Sequence, residues 1–459
     1  MQKIIIKNFG PIKDAEIEIK KTLILIGEQA SGKSTIAKLI YFFRTLPEEL
    51  KIHLLSKFVY PYLDEKKICK IKFDFEDDII KTIKQKFNDC FSHIHNFSNF
   101  KIEYIYQKSD ESDAFIVLEM SSNQDFKIQF DGDTRKSLEE ELFQAMQNIQ
   151  PMPEPQFHKI LKRNLSGLWH LGGSNLFIVD SRMLTTKYSR KFQKKLYVEL
   201  DEPESFDEKL MLKFIDRIDK IIYRFEGKSS GFEKLTINVP RRFRNEPDKL
   251  TTIVRKINSI LKGDYVFENG NEKIKLNGLE GIYTLLRDAS TGQQDVIRIL
   301  QDIFLTLKSG DYNFRVIEEP DAHVFPEAQK LLVEIFACFV NYYDNNQLII
   351  TTHSPYTLTA YNNLLFANRV IQKNPDLEEQ VFDIVDKECI LDSKDFSAYA
   401  LKIVQNEDDK YCQKIVDYVK GEDTETGLIN QNFLDSVSDT LNAEFQALYA
   451  LHTKTFARK

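Results

Sequence analysis

Residues 22–34 read Thr-Leu-Ile-Leu-Ile-Gly-Glu-Gln-Ala-Ser-Gly-Lys-Ser, an apolar run that ends in Gly27-Glu28-Gln29-Ala30-Ser31-Gly32-Lys33-Ser34. The octet fits G-x-x-x-x-G-K-[ST], and its flanks put it between a strand and the start of a helix, where that pattern has a mechanism. Glycines admit backbone angles that turn successive N–H groups inward on a phosphate, and a helix N-terminus adds partial positive charge. Lys33 would then hold the β and γ phosphates, Ser34 a Mg²⁺ ion, and Gly27 to Thr35 the whole nucleotide phosphate tail. A chance glycine turn lacks this strand-loop-helix setting.

Upstream, Ile4 to Ile6 and Ala15 to Ile19 alternate as strands do, and a helix is predicted from Lys33 through Phe43. Between about 46 and 165 the pattern mixes amphipathic helices with strand-like runs at Lys101 to Tyr106, Phe115 to Met120 and Phe126 to Phe130, an elaborated antiparallel region. From about 184 to 263 it is mainly helical, with apolar three-to-four spacing over Phe206 to Phe225 and Leu250 to Leu261. A helix from Gly292 to Leu307, a strand Phe314 to Ile317, a helix Pro326 to Tyr342 and a strand Gln347 to Thr351 then alternate as in an α/β fold with a parallel sheet. The expected division is a first lobe carrying the phosphate loop over 1–183, a helical insertion over 184–263, a second lobe over 264–395 and a charged helical tail over 396–459.

Three further pieces keep company with the phosphate loop. Phe314-Arg315-Val316-Ile317-Glu318-Glu319-Pro320 is an apolar strand that delivers two adjacent carboxylates. Alone these are a solvated strand end; beside a phosphate loop, Glu318 would hold the hydrated Mg²⁺ and Glu319 would orient or deprotonate an attacking water. Ile349-Ile350-Thr351-Thr352-His353-Ser354-Pro355 sets His353 just past the next strand, within reach of a γ phosphate. Ala289-Ser290-Thr291-Gly292-Gln293-Gln294 is a small-residue turn opening a helix, by itself only a cap.

In chain order, phosphate loop, small-residue cap, double carboxylate and histidine resemble the layout of ABC/SMC-type ATPases, closely over about 1–45 and 285–370. The opening IIIKNFGPIKDAEIEI resembles SMC, RecF and OLD-family ATPases; IEEPDAHVFPEAQ and TTHSPY resemble the OLD-like branch, which includes ATPases of bacterial anti-phage systems. The resemblance implies an ABC-type P-loop head that binds ATP and Mg²⁺ and forms a head-to-head homodimer. Ser290, Thr291, Gly292 and Gln293 of one copy would close on the other copy's γ phosphate. Three departures stand out: Glu318 where transporters and SMC proteins carry Asp, Thr291 where the signature has glycine, and no glutamine loop. Phe177-Ile178-Val179-Asp180-Ser181-Arg182 resembles a strand followed by an arginine motif instead.

The rest of the sequence bounds the biology. OLD nucleases carry a Toprim site after the ATPase, and Asp383 and Asp386 make no such site, so no intrinsic nuclease is expected. The chain resembles ATPase-only members, as in the Septu and PARIS systems, which work with a separately encoded nuclease or effector; that implies an ATP-dependent sensor or scaffold. The alternative is a DNA-repair or DNA-end-binding ATPase of the RecF or SMC kind, though 184–263 is too short for a long heptad coiled coil. Net charge is −7, so nucleic acid would need a local basic face, for which Arg182, Lys187, Arg190, Lys191, Lys194 and Lys195 and then Arg241, Arg242 and Arg244 are candidates. His93 and His95 lack further metal ligands. The five cysteines are odd in number and scattered, no apolar run spans a bilayer, and no leader is recognisable, which together lead to an expected cytoplasmic protein without a membrane partner.

Overall fold

The computed structural model describes residues 2–58, 74–91, 99–107, 113–121, 125–132, 135–136, 174–188, 205–226, 231–236, 247–309, 313–402, 412–414, 427–429 and 443–449. Strands β1 (Gln2–Phe9), β2 (Ile12–Ile19) and β3 (Thr22–Gly27) lead through the phosphate loop into helix α1 (Lys33–Phe58). Helix α2 (Lys81–Phe91) precedes β4 (Phe100–Gln107), β5 (Asp113–Met120) and β6 (Phe126–Phe130). These strands pair antiparallel in the order β2-β1-β4-β5-β6. Alternation explains the sheet: in β2, Ile12, Ala15, Ile17 and Ile19 are buried while Lys13, Asp14 and Glu16 face out.

After β7 (Ser174–Ile178) come α3 (Phe206–Glu226) and α4 (Pro247–Leu261), then a small antiparallel sheet of β8 (Gly263–Glu268), β9 (Asn271–Leu276) and β10 (Tyr283–Leu285). Helix α5 (Thr291–Ser309), β11 (Asn313–Glu318), α6 (Pro326–Tyr342), β12 (Gln347–Thr352), α7 (Pro355–Lys373) and β13 (Phe396–Leu401) complete the α/β body. β13, β3, β12, β11 and β7 lie parallel in that order, with β14 (Cys412–Lys414) antiparallel on β13. Every residue of β11, β12 and β13 is buried, as parallel strands covered on both faces require.

Helix α1 fills the space between the two larger sheets. Tyr41 packs edge-on against Phe177 of β7 and stacks with Phe314 of β11, while Phe43 stacks on Tyr104 of β4 with centroids 4.9 Å apart. The helix does not stop at Phe43 as the sequence pattern suggests; it continues through Pro47 to Phe58. Proline has no N–H to give the carbonyl four residues back. The buried Tyr106 hydroxyl donates to that carbonyl, Phe43 O, at 2.8 Å, which replaces the missing bond.

The expected helical tail from 396 is corrected at its start. Phe-Ser-Ala-Tyr-Ala-Leu at 396–401 is a strand beside β3, because six consecutive apolar or small residues suit a site covered on both faces. Residues 443–449 are helical, and most of the remaining tail lies outside the described residues. The cysteines are less scattered in space than in sequence: buried Cys338 and Cys389 have sulfurs 3.4 Å apart. Asp386 pairs with Lys256 at 2.5 Å and Asp383 is exposed. No helix among the described residues is long and apolar enough to cross a membrane. His93, His95, Arg190, Lys191, Lys194, Lys195, Arg241, Arg242 and Arg244 lie outside the described residues.

Candidate active site

Strand register brings the motifs together. Leu25 of β3 pairs with Thr351 of β12, which pairs on its other side with Glu318 of β11, and Gly27 pairs with Leu401 of β13. The carboxyl ends of these parallel strands therefore form one edge, the place where open α/β sheets bind ligands. Gly27 is required there because a Cβ would run into the Leu401 carbonyl oxygen. Ala30 (φ 62°) and Gly32 (φ 89°) bend the loop through the left-handed region before Lys33 starts α1.

Lys33 is 5% exposed, and its Nζ donates to the carbonyls of Gly27 and Glu28, both at 2.8 Å. Burial lowers its pKa, against the opposing pull of the Glu319 charge, so an anionic phosphate would find a poorly solvated cation there. Glu318 is 5% exposed; burial pushes its carboxyl up, while Lys38 and a hydrogen bond from Ser34 work against that. Its Oε1 is buried without a hydrogen-bond partner. A hydroxyl beside a buried carboxylate with an open lone pair is a donor set that fits a hard divalent cation such as Mg²⁺.

Glu319 follows with φ 42°, an uncommon conformation for a side chain other than glycine. Its N–H donates to Thr351 O at 2.9 Å, and its own carbonyl accepts from Arg182 Nη2 at 2.8 Å, so the turn is held on both sides. The carboxylate Oε1 lies 2.6 Å from His353 Nε2, and His353 Nδ1 lies 2.8 Å from Gly27 O. The imidazole thus bridges the phosphate loop and the second carboxylate.

The loop carrying Glu319 is stapled to the turn carrying His353. Buried Asp321 accepts from Thr352 Oγ1 at 2.6 Å and from Thr357 Oγ1, and Gln329 accepts from Ser354 Oγ at 2.6 Å while donating to Val324 O at 2.8 Å. Ser354 caps α7 by accepting from Thr357 N–H. His353 is placed by this scaffold.

Ser290 and Gln293 form a reciprocal cap at the start of α5: Gln293 N–H meets Ser290 Oγ at 3.3 Å and Ser290 N–H meets Gln293 Oε1 at 3.1 Å. Gln293 also donates to Leu261 O at 2.7 Å. Ser290 and Thr291 are exposed, and a Cβ on Gly292 would meet the His323 carbonyl oxygen. Within one chain this turn therefore packs on the loop after Glu319 and presents its outer side to whatever approaches. Lys33 Nζ lies 3.4 Å from Nδ1 of His353, whose other ring nitrogen meets Glu319, while Ser34 hydrogen-bonds Glu318, so the five form two contacting groups at the same sheet edge.

A family model described as an AAA ATPase domain matches residues 1–358, well over half of the chain. The chain belongs to this AAA ATPase family. Among curated proteins none matches it. This AAA ATPase is similar to a solved SMC head bound to the C-winged helix domain of ScpA, with 14% identity, 78% of this chain and 90% of that one covered and a TM-score of 0.36. It is similar to the SMC head domain from Thermotoga maritima, at 13% identity with 78% and 90% covered and a TM-score of 0.34. RecF, the recombination mediator of the RecFOR pathway, follows at 12% identity with 77% and 92% covered and a TM-score of 0.27.

Some residues of the AAA ATPase site carry no motif of their own. Asp295, which accepts from Arg182 Nη2 at 2.8 Å, Asp321 and Gln329 act through partners distant in sequence or through main-chain atoms, and only the presence of Asp321 and Gln329 inside IEEPDAHVFPEAQ marks them. Arg182 is wholly buried under Glu318 and Glu319. It therefore leaves the basic surface patch to which its position beside Lys187 assigns it; Lys187 and Tyr188 stay exposed.

Proposed function

We propose that this AAA ATPase binds ATP with Mg²⁺ on Gly27 to Thr35 and hydrolyses it at a site shared by two copies meeting head to head. The observation that carries the reading is the contact of His353 with both Glu319 Oε1 and Gly27 O, which joins a carboxylate at a strand end to a phosphate-binding loop. Lys33 would meet the β and γ phosphates. Ser34 and Glu318 would hold Mg²⁺, which when bound neutralises phosphate charge and orients the phosphoryl oxygens. Glu319 would accept a proton from the attacking water, and His353 would keep its carboxylate aimed and contact the γ phosphate. Ser290 to Gln293 of the second copy would supply hydroxyl and N–H donors to that phosphate, an arrangement supported by the exposed face of the α5 cap.

On the resemblance of IEEPDAHVFPEAQ and TTHSPY to the OLD-like branch, we further read the chain as a cytoplasmic ATP-dependent sensor or scaffold in an anti-phage complex with a separately encoded effector. The test is size-exclusion chromatography with light scattering on wild type and Glu319→Gln, with and without ATP and Mg²⁺, after co-expression with the neighbouring gene. A dimer-based assembly carrying the neighbour's product supports the reading. A lone monomer indifferent to ATP overturns the shared site, and a dimer without the neighbour's product, in cells of unchanged phage sensitivity, overturns the defence role.

A further inference from the structure

Arginine carries five N–H donors in a fixed plane, and at Arg182 all five have acceptors. Nε donates to Asp295 O at 3.2 Å; Nη1 donates to Val179 O at 3.1 Å and to Glu318 O at 2.7 Å; Nη2 donates to Asp295 Oδ2 and to Glu319 O, both at 2.8 Å. The side chain is 0% exposed and that of Asp295 2%. One guanidinium therefore grips the carbonyls of both strand-end glutamates and, on its other side, the first turns of α5. That helix begins at the cap Ser290 to Gln293. The grip has a second point: His323 Nδ1 lies 3.3 Å from the same Asp295 Oδ2, and Gly292 lies flat against the His323 carbonyl.

A buried ion pair contributes little net stability compared with apolar packing, and its better-attested use is to fix one arrangement. What is fixed here is the backbone of Glu319 at φ 42°, a conformation that persists only when its surroundings over-determine it. We propose that Arg182 is a positioning residue for hydrolysis: it locks the Glu319 backbone and couples it, through Asp295, to the α5 cap that a second copy's nucleotide would engage. A displacement of the cap then shifts the carboxylate that directs the water. Lysine cannot replace it, because an ammonium has three donors around one point and cannot span carbonyls and carboxylate together.

This inference rests on the reading of Glu319 as the residue that activates water, and the experiment separates the two. Steady-state hydrolysis, binding of a non-hydrolysable ATP analogue and thermal melting are measured on the full chain for wild type, Arg182→Lys, Asp295→Asn and Glu319→Gln, and for Arg182→Lys combined with Glu319→Gln. The expected result is a kcat lower by about a hundredfold in Arg182→Lys, the loss that follows from a misplacement of about 1 Å, with analogue binding unchanged within about a factor of two. Asp295→Asn, which keeps the side-chain shape, should lower kcat in the same sense with a cooperative melt. In the Glu319→Gln background Arg182→Lys should lower the residual rate no further, since residues acting as a unit are not additive. A merely structural residue would lower binding and melting temperature in step with kcat and would add to Glu319→Gln; that result overturns the proposal. If Arg182→Lys does not fold, Asp295→Asn decides: kcat equal to wild type overturns it. Wild-type turnover with an equally fast Arg182→Lys removes this inference alone, whereas a wild type without turnover removes the reading beneath it as well.

Discussion

At the scale of single residues, the two ends of the proposed chemistry separate cleanly. Lys33→Ala removes the cation that lies against Gly27 and Glu28, so it is expected to abolish ATP binding as measured by a fluorescent nucleotide. Glu319→Gln keeps shape and hydrogen bonding but cannot take a proton, so it is expected to bind ATP normally and lose hydrolysis by about two to four orders of magnitude; wild-type turnover in this variant would show that another group activates the water. The residues behind these outcomes are legible in the sequence because each sits in a short run whose spacing has a mechanism. The partnership of Arg182 and Asp295 is not, since the two stand 113 positions apart; the strand-then-arginine resemblance of Phe177 to Arg182 marks the arginine but not what it faces, and Asp295 has no pattern of its own. Five positions before Lys187, Arg182 reads both as the arginine of that motif and as one of a basic surface cluster, and the fold decides against the surface by placing two carbonyls over it.

At the scale of elements, buried polar contacts decide what periodicity leaves open. The end of α1 is misread from sequence because Pro47 ordinarily stops a helix, and the donor that lets it continue comes from β4, 63 residues away in the Tyr106–Phe43 pair. Tyr106→Phe should therefore destabilise the fold by about 1–3 kcal/mol, the cost of leaving a buried carbonyl unpaired, measured by urea unfolding. β13 is misread for the complementary reason: Phe396 to Leu401 lacks alternation because both faces are covered, and a short continuous apolar run is ambiguous until its neighbours are known. Helix α5 adds a third case. Asp302 on α5 is fully buried between Arg315 of β11, at 2.6 Å, and Arg217 of α3, also at 2.6 Å. Burial raises its carboxyl, but the two arginines overcome that and leave the pKa below the usual range. A depressed folded value means stability present above the unfolded pKa of about 3.9 and lost as pH falls through the lower folded value. Asp302→Asn should cost about 3–5 kcal/mol near neutrality, and the difference from wild type should shrink below about pH 4; a difference independent of pH would rule out the ion pairs as its source.

At the scale of the whole molecule, the proposed shared site makes a prediction that a self-contained one does not. Ser290→Arg places bulk on an exposed turn that in the proposed dimer would meet the opposite copy, and Lys33→Ala disables the copy's own phosphate loop; each alone should be inactive. Mixed together, the two proteins form dimers in which one site has both defects and the other has none, so about a quarter of the wild-type rate should return if pairing is random. No recovery on mixing, with dimers confirmed by light scattering, would mean that each chain completes its own site.

The position of β13 has a consequence for anyone shortening the chain. Its six residues cover the flank of β3, the strand that carries the phosphate loop. Ending the polypeptide at residue 395 would leave that flank as a row of open N–H and C=O groups along an apolar, untapered strand, the template on which sheets of different molecules join. Such a truncation should precipitate on expression, and insolubility would then be a statement about a missing neighbour at an edge, with no bearing on whether the phosphate loop itself is sound.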